Sequence, residues 1–333
     1  MTHTDSPAHT HAIRIHAQGG SDQLVYETSE LPPCGPTDIV LHQHAIGLNF
    51  IDVYHRSGLY PLPTFPAIIG LEGAGVVTAI GDSVTSLSVG DRVAYASPPL
   101  GAYAVDRVIP AASVVKLPDA IDFDTAAAMM LQGLTVQYLI RQTYQVKAGD
   151  TVLIHAAAGG IGLIACQWLK HLGASVIGTV GNSDKAALAT QNGCDHTILY
   201  DEEDVAARVK DITGGKGVPV VYDSIGRDTL DASLDSLSPR GLLVSFGNAS
   251  GPVDALNLGV LAQKGSLYVT RPTLMTYISE RDNMLAMAKD LFDVVGNGVV
   301  NISVNQRYAL ADAARAHDDL EARRTTGSTI LMP

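Results

Sequence analysis

The chain has 333 residues, with 22 Lys plus Arg against 34 Asp plus Glu and a net charge of −12. At roughly 100 to 200 residues per domain this length calls for two domains, and 46% apolar with 17% charged residues excludes wholesale disorder. The acidic excess repels phosphate backbones and argues against nucleic acid as a partner, while three scattered cysteines, Cys34, Cys166 and Cys194, exclude a disulfide framework or four-cysteine zinc lobe.

Residues 1–11 are polar, with His3, His9 and His11, and lack both a cationic start and an apolar core. They read as a flexible leader, not a secretory signal. No run of about 18 apolar residues occurs, so no membrane span is expected and the location expected is cytoplasmic. From Ile13 to Pro118 the sequence holds short β-branched runs, Gly75–Ile80, Arg92–Tyr95 and Ser113–Leu117, together with most of the prolines. That texture predicts irregular, mostly antiparallel β structure. His42 and His44 share one strand face there, with no Cys or acid at metal spacing. Asp122 or Asp124 can cap a helix over Ala126–Leu131, and a second helical stretch follows over Leu134–Tyr144.

After Gly149-Asp150 strands and helices alternate: strand Thr151–His155, helix Ile161–Leu172, strand Ser175–Val180 and helix Ser183–Gln191. Further strands are expected at Thr197–Tyr200, Val218–Tyr222, Leu242–Phe246 and Leu267–Thr270. Alternation with continuously apolar strands is the mark of a doubly wound parallel sheet, and the fold class expected is α/β with a β-rich companion domain. The tail carries one helical pattern, Glu280–Val295, then β-like Val299–Val304 and Ser328–Leu331, and is expected to rejoin the first domain.

Val152 to Gly162 reads as a buried strand, a glycine turn and a helix start. A pyrophosphate suits that turn, because the free N–H groups and positive dipole end of the helix face its charge. Gly159 lets backbone approach phosphate, Gly162 lets helix and strand pack closely, and Ala157 replaces the usual first glycine of G-x-G-x-x-G. At the end of the second strand, Gly178 to Lys185 offers no acid at the place where NAD sites hold the ribose. Ser183 and Lys185 suit a 2′-phosphate instead, which favours NADPH; the alternative is that Ser183 only caps a helix and Lys185 is a surface charge.

The runs Ala45–Tyr54, Arg56–Tyr60, Gly133–Val136, His155–Gly162, Val221–Ser224, Val244–Asn248 and Gly265–Pro272, in this order, resemble the zinc-free quinone oxidoreductases of the medium-chain dehydrogenase/reductase superfamily. The likeness spans about Ile13 to Pro333. It implies a discontinuous GroES-like catalytic domain, 12–128 and 275–333, a Rossmann domain, 129–274, a cleft between them and a homodimer. It also implies no metal: Asn49 stands where zinc-dependent relatives carry a Cys ligand, Leu71 stands where they carry a His, and no Cys between Asp119 and Tyr144 supplies a third ligand. Two positions depart from the pattern, Gln132 where Lys is common and Asp201 where Arg is common.

By similarity, Asn49, Tyr54, Thr135 and Tyr138 line the nicotinamide side, and Gly159, Gly160 and Ile161 meet the pyrophosphate. Gly181, Ser183, Lys185 and Tyr200 hold the adenosine 2′-phosphate end. Phe246, Gly247, Asn248, Val269, Arg271 and Arg323 are further cofactor contacts, the two guanidinium groups suiting carboxamide and phosphate oxygens. A quinone accepts hydride readily and needs mainly placement and donors for its developing phenolate. Asn49, Tyr54 and Tyr60 can supply those donors, and are the catalytic residues expected. The reaction expected is NADPH-dependent quinone reduction; reduction of an enone, or NADPH binding without catalysis, are the alternatives. His155 is expected to be a packed, hydrogen-bonded residue, and Gly214–Gly217 a surface turn.

Overall fold

The computed structural model describes residues 9–333. In chain order the strands and helices are β1 (His9–Ile15), β2 (Val25–Glu30), β3 (Asp38–Leu48), α1 (Phe50–Ser57), β4 (Ala67–Ile68), β5 (Glu72–Ile80), β6 (Arg92–Ala96), β7 (Asp106–Pro110), β8 (Val115–Lys116) and α2 (Phe123–Tyr138). There follow β9 (Thr151–Ile154), α3 (Gly160–His171), β10 (Ser175–Val180), α4 (Ser183–Gln191), β11 (His196–Leu199), α5 (Val205–Ile212), β12 (Val218–Asp223), α6 (Leu230–Ser236) and β13 (Leu237–Ser245). The last are α7 (Leu258–Gln263), β14 (Tyr268–Thr270), α8 (Leu274–Tyr277), α9 (Arg281–Gly296), β15 (Val304–Ala309), α10 (Ala313–Glu321) and β16 (Ser328–Met332).

The chain forms two compact units. One holds the chain up to Gln132, with Glu280–Ala288 and Ile302–Pro333; the other holds Gly133–Ser279 and Lys289–Asn301. In the first unit a sheet ordered β15-β16-β3-β5-β6-β8, with β7 also on β3, accompanies a small sheet β2-β1-β4. Every pairing in these sheets is antiparallel except β15 with β16. Alternate residues of β3, Ile39, Leu41 and, past a bulge, Ile46 and Leu48, join Tyr95, Tyr103 and Ile109 in one buried core, as the period-two geometry of a strand requires.

The second unit is one parallel sheet ordered β11-β10-β9-β12-β13-β14, the 3-2-1-4-5-6 order of a dinucleotide-binding doubly wound fold. Leu153, Ile177, Ile198, Val221 and Leu243 from five adjacent strands form its core with Val209 and Leu234 of the covering helices. The fold class expected from the sequence is the one observed. Among the described residues no helix is long and apolar enough to cross a membrane.

Four local expectations need correction. His9–His11, assigned to the leader, lie in β1, paired with Glu30, Ser29 and Thr28; residues 1–8 fall outside the described part. The two helices expected around Gly133 are one, α2, continued by a wider π-type turn over Leu139–Thr143. Gly133 costs about 1 kcal/mol against Ala in a helix, but a side chain there would overlap Leu291, so the helix keeps the glycine and stays continuous. Val299 and Val300 do not start a strand; their N–H groups close α9 on the carbonyl of Val294, and the strand is Val304–Ala309. Helix α10 was not anticipated, although Ala313 and Ala316 bury one face of it in the core.

Candidate active site

In the first unit, β3 ends at Leu48 and Asn49 turns the chain into α1 as its N-cap, with φ −134° and ψ 158°. Asp52, one turn on, accepts the Asn49 N–H at 2.9 Å and fixes that turn. The Asn49 side chain is buried and held at both ends. Its Nδ2 donates to Glu72 Oε2 at 2.6 Å, and its Oδ1 accepts from Gln132 Nε2 at 3.3 Å. Gln132 in turn accepts from Ser328 Oγ at 2.8 Å. Burial pushes the Glu72 carboxyl up to about 8 against the N–H donors that pull it down.

Tyr54 lies on the same helix, and Gly58, with φ 95°, ends the helix so that the chain folds back. The return brings Tyr60 N–H onto the carbonyl of Tyr54 and the two rings edge to face at 5.3 Å. Asn49, Tyr54 and Tyr60 thus come from one helix and the turn after it. Behind them Tyr103 donates to Asp52 Oδ2 at 3.2 Å and meets His317 Nε2 at 3.0 Å, while His317 Nδ1 faces the buried Arg56, which pairs with Glu321. Burial raises Asp52 to about 7 and, with Arg56 beside it, lowers His317 to about 3, so His317 is a neutral structural acceptor. Arg323, the remaining cofactor candidate of this unit, is exposed after α10 with φ 58°.

In the second unit Gly159 caps α3 with no side-chain partner, so the first-turn N–H groups of Gly160, Ile161 and Gly162 have no intrahelical acceptor. Ala156 takes φ 55°, and a Cβ on Gly162 would overlap the backbone of Ala156 and Ala157. Only glycine allows that approach of helix and turn, and the uncapped amides fit a pyrophosphate. At the end of β10 the Tyr200 hydroxyl stands 2.7 Å from where a Gly181 Cβ would lie, and Ser183 and Lys185 open α4 beside it. The cap of α4 is Asn182, whose Oδ1 accepts from Lys185 N at 2.9 Å, so the alternative in which Ser183 caps this helix is corrected.

Phe246, Gly247 and Asn248 leave β13 along the end of β12: Phe246 N–H donates to the Asp223 carbonyl, and a side chain on Gly247 would overlap Ser224. Arg271, following Val269 in β14, reaches back with Nη1 to the Ser245 carbonyl at 3.2 Å. Tyr138 stacks on Tyr277 at 4.3 Å, and its hydroxyl pKa is raised by burial, with the Arg271 charge opposing. Thr135, one turn before Tyr138 in α2, is buried.

Sequence reading missed the acid that organises these loops. Asp223 accepts from the N–H groups of Ile225 and Gly226 and from the hydroxyls of Thr229 and Ser233. Ser233 Oγ meets His155 Nε2 at 2.9 Å, and His155 Nδ1 meets Thr179 Oγ1 at 2.9 Å. Because Ser233 donates to Asp223, His155 carries its proton on Nε2 and accepts from Thr179. Burial lowers its pKa and keeps the ring neutral, the packed role expected of it. His42 does have an acid nearby: β7 pairs with β3 and brings Asp106 Oδ1 to 2.7 Å. No group of three or more His, Cys, Asp or Glu able to hold a metal occurs among the described residues.

Comparison with known proteins agrees with this architecture. Residues 35–119 match the alcohol dehydrogenase GroES-like domain and residues 160–300 the zinc-binding dehydrogenase family. A quinone oxidoreductase of Pseudomonas aeruginosa is 57% identical over 96% of this chain and 99% of its own. A 2-haloacrylate reductase of Burkholderia is 48% identical over 97% and 98%. The crystal structure of Escherichia coli quinone oxidoreductase complexed with NADPH superposes with a TM-score of 0.94 at 50% identity, covering 97% of this chain and all of that one. With its Rossmann sheet, its GroES-like unit and an Asn at the first zinc-ligand position, the chain belongs to the quinone oxidoreductase family of the medium-chain dehydrogenase/reductase superfamily.

Proposed function

We propose that the chain reduces quinones with NADPH and without zinc. The observation that carries this reading is the likeness, along nearly the whole chain, to a quinone oxidoreductase solved with NADPH. NADPH, when bound, supplies the hydride. In the second unit Gly159, Gly160 and Ile161 would hold the pyrophosphate by backbone N–H, and Gly181, Ser183, Lys185 and Tyr200 the 2′-phosphate. Thr135 and Tyr138 would serve the nicotinamide, and Phe246, Gly247, Asn248, Val269 and Arg271 the rest of the cofactor. In the first unit Asn49 and Tyr54 would also serve the nicotinamide, and Asn49, Tyr54 and Tyr60 would place the quinone and donate hydrogen bonds to its oxygens as charge develops there, with Arg323 a further cofactor contact. A tyrosine hydroxyl or solvent then delivers the proton. On this reading 12–128 with 275–333 form the catalytic domain and 129–274 the NADPH domain.

Loss of NADPH absorbance with benzoquinone, phenanthrenequinone and a simple enone in parallel, repeated with NADH and with a chelator, tests the reading. Fast, chelator-insensitive turnover of a quinone with NADPH is expected; tight NADPH binding without turnover would overturn it. Reduction of an activated carbon–carbon double bond is the second reading, favoured by the similarity to 2-haloacrylate reductase, and turnover of the enone alone would select it. A homodimer through β14 belongs to the proposal. That strand ends its sheet, exposes Tyr268 and Val269, and borders a depression of 620 Å³ lined by Tyr144, Pro239, Arg240 and Tyr268 among others. A monomeric mass in light scattering at micromolar concentration would overturn this part. A cytoplasmic location completes the proposal, and cell fractionation tests it.

A further inference from the structure

Glu72 is a fully buried acid with no cation among its hydrogen-bond partners. It opens β5, and its two oxygens look in different directions. Oε2 receives Asn49 Nδ2 at 2.6 Å, and Oε1 receives the Leu131 N–H of α2 at 2.8 Å. The sequence makes room for it: a side chain on Gly47, in the neighbouring strand β3, would overlap both Glu72 Oε2 and the Ala127 carbonyl. Burying a carboxyl this way costs more than an apolar residue would, so its presence calls for a role beyond packing.

The chemistry of the Asn49 amide supplies one. An amide is nearly symmetric in shape, so only its hydrogen-bond partners tell its oxygen from its nitrogen, and on the oxygen side the backbone N–H of Asp52 completes the capping box of α1. Rotated by half a turn, Asn49 would offer a carbonyl where it now offers an N–H. An ionised carboxylate only accepts, so it rejects the rotated form by repulsion, whereas an amide or a protonated carboxyl tolerates either. Gln132 reinforces the choice from the other side. Ser328 Oγ lies 2.8 Å from Gln132 Oε1 and 3.0 Å from the Ala128 carbonyl, and with its one proton given to the nearer Oε1, Gln132 presents Nε2 to Asn49 Oδ1. With one Nδ2 proton committed to Glu72, the other is the single N–H that Asn49 can offer a substrate.

We infer that Glu72 is a positioning residue: through its hydrogen bond it locks the Asn49 amide in the orientation that points one N–H toward the quinone oxygen. The inference rests on the quinone-reductase reading for its kinetic consequence, but not for the lock itself.

Two measurements test it. In steady state at about pH 9, where Glu72 is ionised, Glu72→Gln keeps the shape and removes the carboxylate. It is expected to lower kcat about tenfold while NADPH Kd and quinone KM stay within about twofold, the pattern of an interaction used in the transition state. In an Asn49→Ala background the same change is expected to cost less than about twofold, because the residue it positions is gone. Unchanged kcat in Glu72→Gln, or effects of the two substitutions that simply multiply, would overturn the inference. The second measurement uses the unmodified protein labelled with 15N at the same pH, with the Asn49 side-chain NH2 assigned by its loss in Asn49→Ala. One proton of the pair is expected strongly downfield and slow to exchange with water, and its partner in the ordinary range. Two ordinary protons would overturn the lock even if the Glu72 variant did not fold. Absence of quinone turnover in the wild type would instead sink the functional reading and leave the spectroscopic result standing.

Discussion

The turn after β9 and the cap of α1 are two of the places where this chain meets its reactants on the proposed reading, and they are built on opposite principles. The turn is made of backbone. His155 to Gly162 are contiguous, the donors are N–H groups, and the specification is an absence of side chains. The Asn49 site is made of side chains drawn together across the first unit: Glu72 is 23 residues from Asn49, Gln132 is 83, and Ser328 is 196 from Gln132. A local backbone device tolerates changes anywhere but at its glycines. A long-range side-chain device is fragile at every member, yet it can set which way a single amide faces.

Substitutions can break this contrast at either end, and the largest effect is expected at the turn. Gly162→Val puts side-chain atoms into the backbone of Ala156 and Ala157. Overpacking of this kind costs about 1–3 kcal/mol, and displacement of the helix end is expected to weaken NADPH binding by about a hundredfold. Thermal unfolding and fluorescence titration read the two effects. Binding within about twofold of wild type would show that the turn does not hold the cofactor.

Next comes the hub beneath the cofactor loops. Asp223→Ala strands two backbone N–H groups and two hydroxyls, with a cost on the order of 3 kcal/mol. Denaturant unfolding checks this, and a loss below about 1 kcal/mol would mean the loops are held by other contacts.

The pH dependence sharpens the other side. Glu72 titrates at about 8 in the fold against an ordinary value of 4.5. The folded state therefore holds the proton more tightly, and the contribution of Glu72 to stability is complete below the ordinary value and lost as pH rises through about 8. Wild type is expected to lose on the order of 4 kcal/mol more than Glu72→Gln between about pH 5 and about pH 9. Turnover runs the other way: ionisation completes the lock on Asn49, so kcat is expected to rise through the same range in wild type and stay flat in Glu72→Gln. The titratable groups facing Glu72 are Asp52 of α1, Tyr95 of β6 and Tyr103. Parallel pH profiles of stability and kcat in the two proteins would contradict the assignment to Glu72.

The smallest effect is expected at Lys185, on α4. Lys185→Ala should weaken NADPH about tenfold and leave NADH unchanged, since a partly exposed charge facing a phosphate contributes about 1 kcal/mol. Equal loss for both nucleotides would remove the 2′-phosphate from its role.

The same contrast explains what could be read from the sequence. The parallel sheet, the glycine turn and the bounds of β10 and α4 follow from period, apolar runs and cap residues within a few positions of one another. Asn49 and Tyr54 were legible as candidates because they sit in one short run. Glu72 carries no local signal of a link to Asn49, and only the pairing of β3 with β5 brings the two together. Asp106 was likewise invisible as a partner of His42 until β7 paired with β3. Helix α10 was hidden because its buried face is alanine and His317, which carry little hydrophobic signal.

The central claim is a division of labour, with the second unit, led by its backbone turn, binding NADPH and the Asn49 amide in the first serving turnover. Asn49→Ala, assayed for both NADPH affinity and quinone-dependent NADPH oxidation, tests it most directly. NADPH affinity lowered by no more than about fivefold, for the lost nicotinamide contact, and kcat lowered about a hundredfold are expected. Wild-type turnover in this variant would contradict the account.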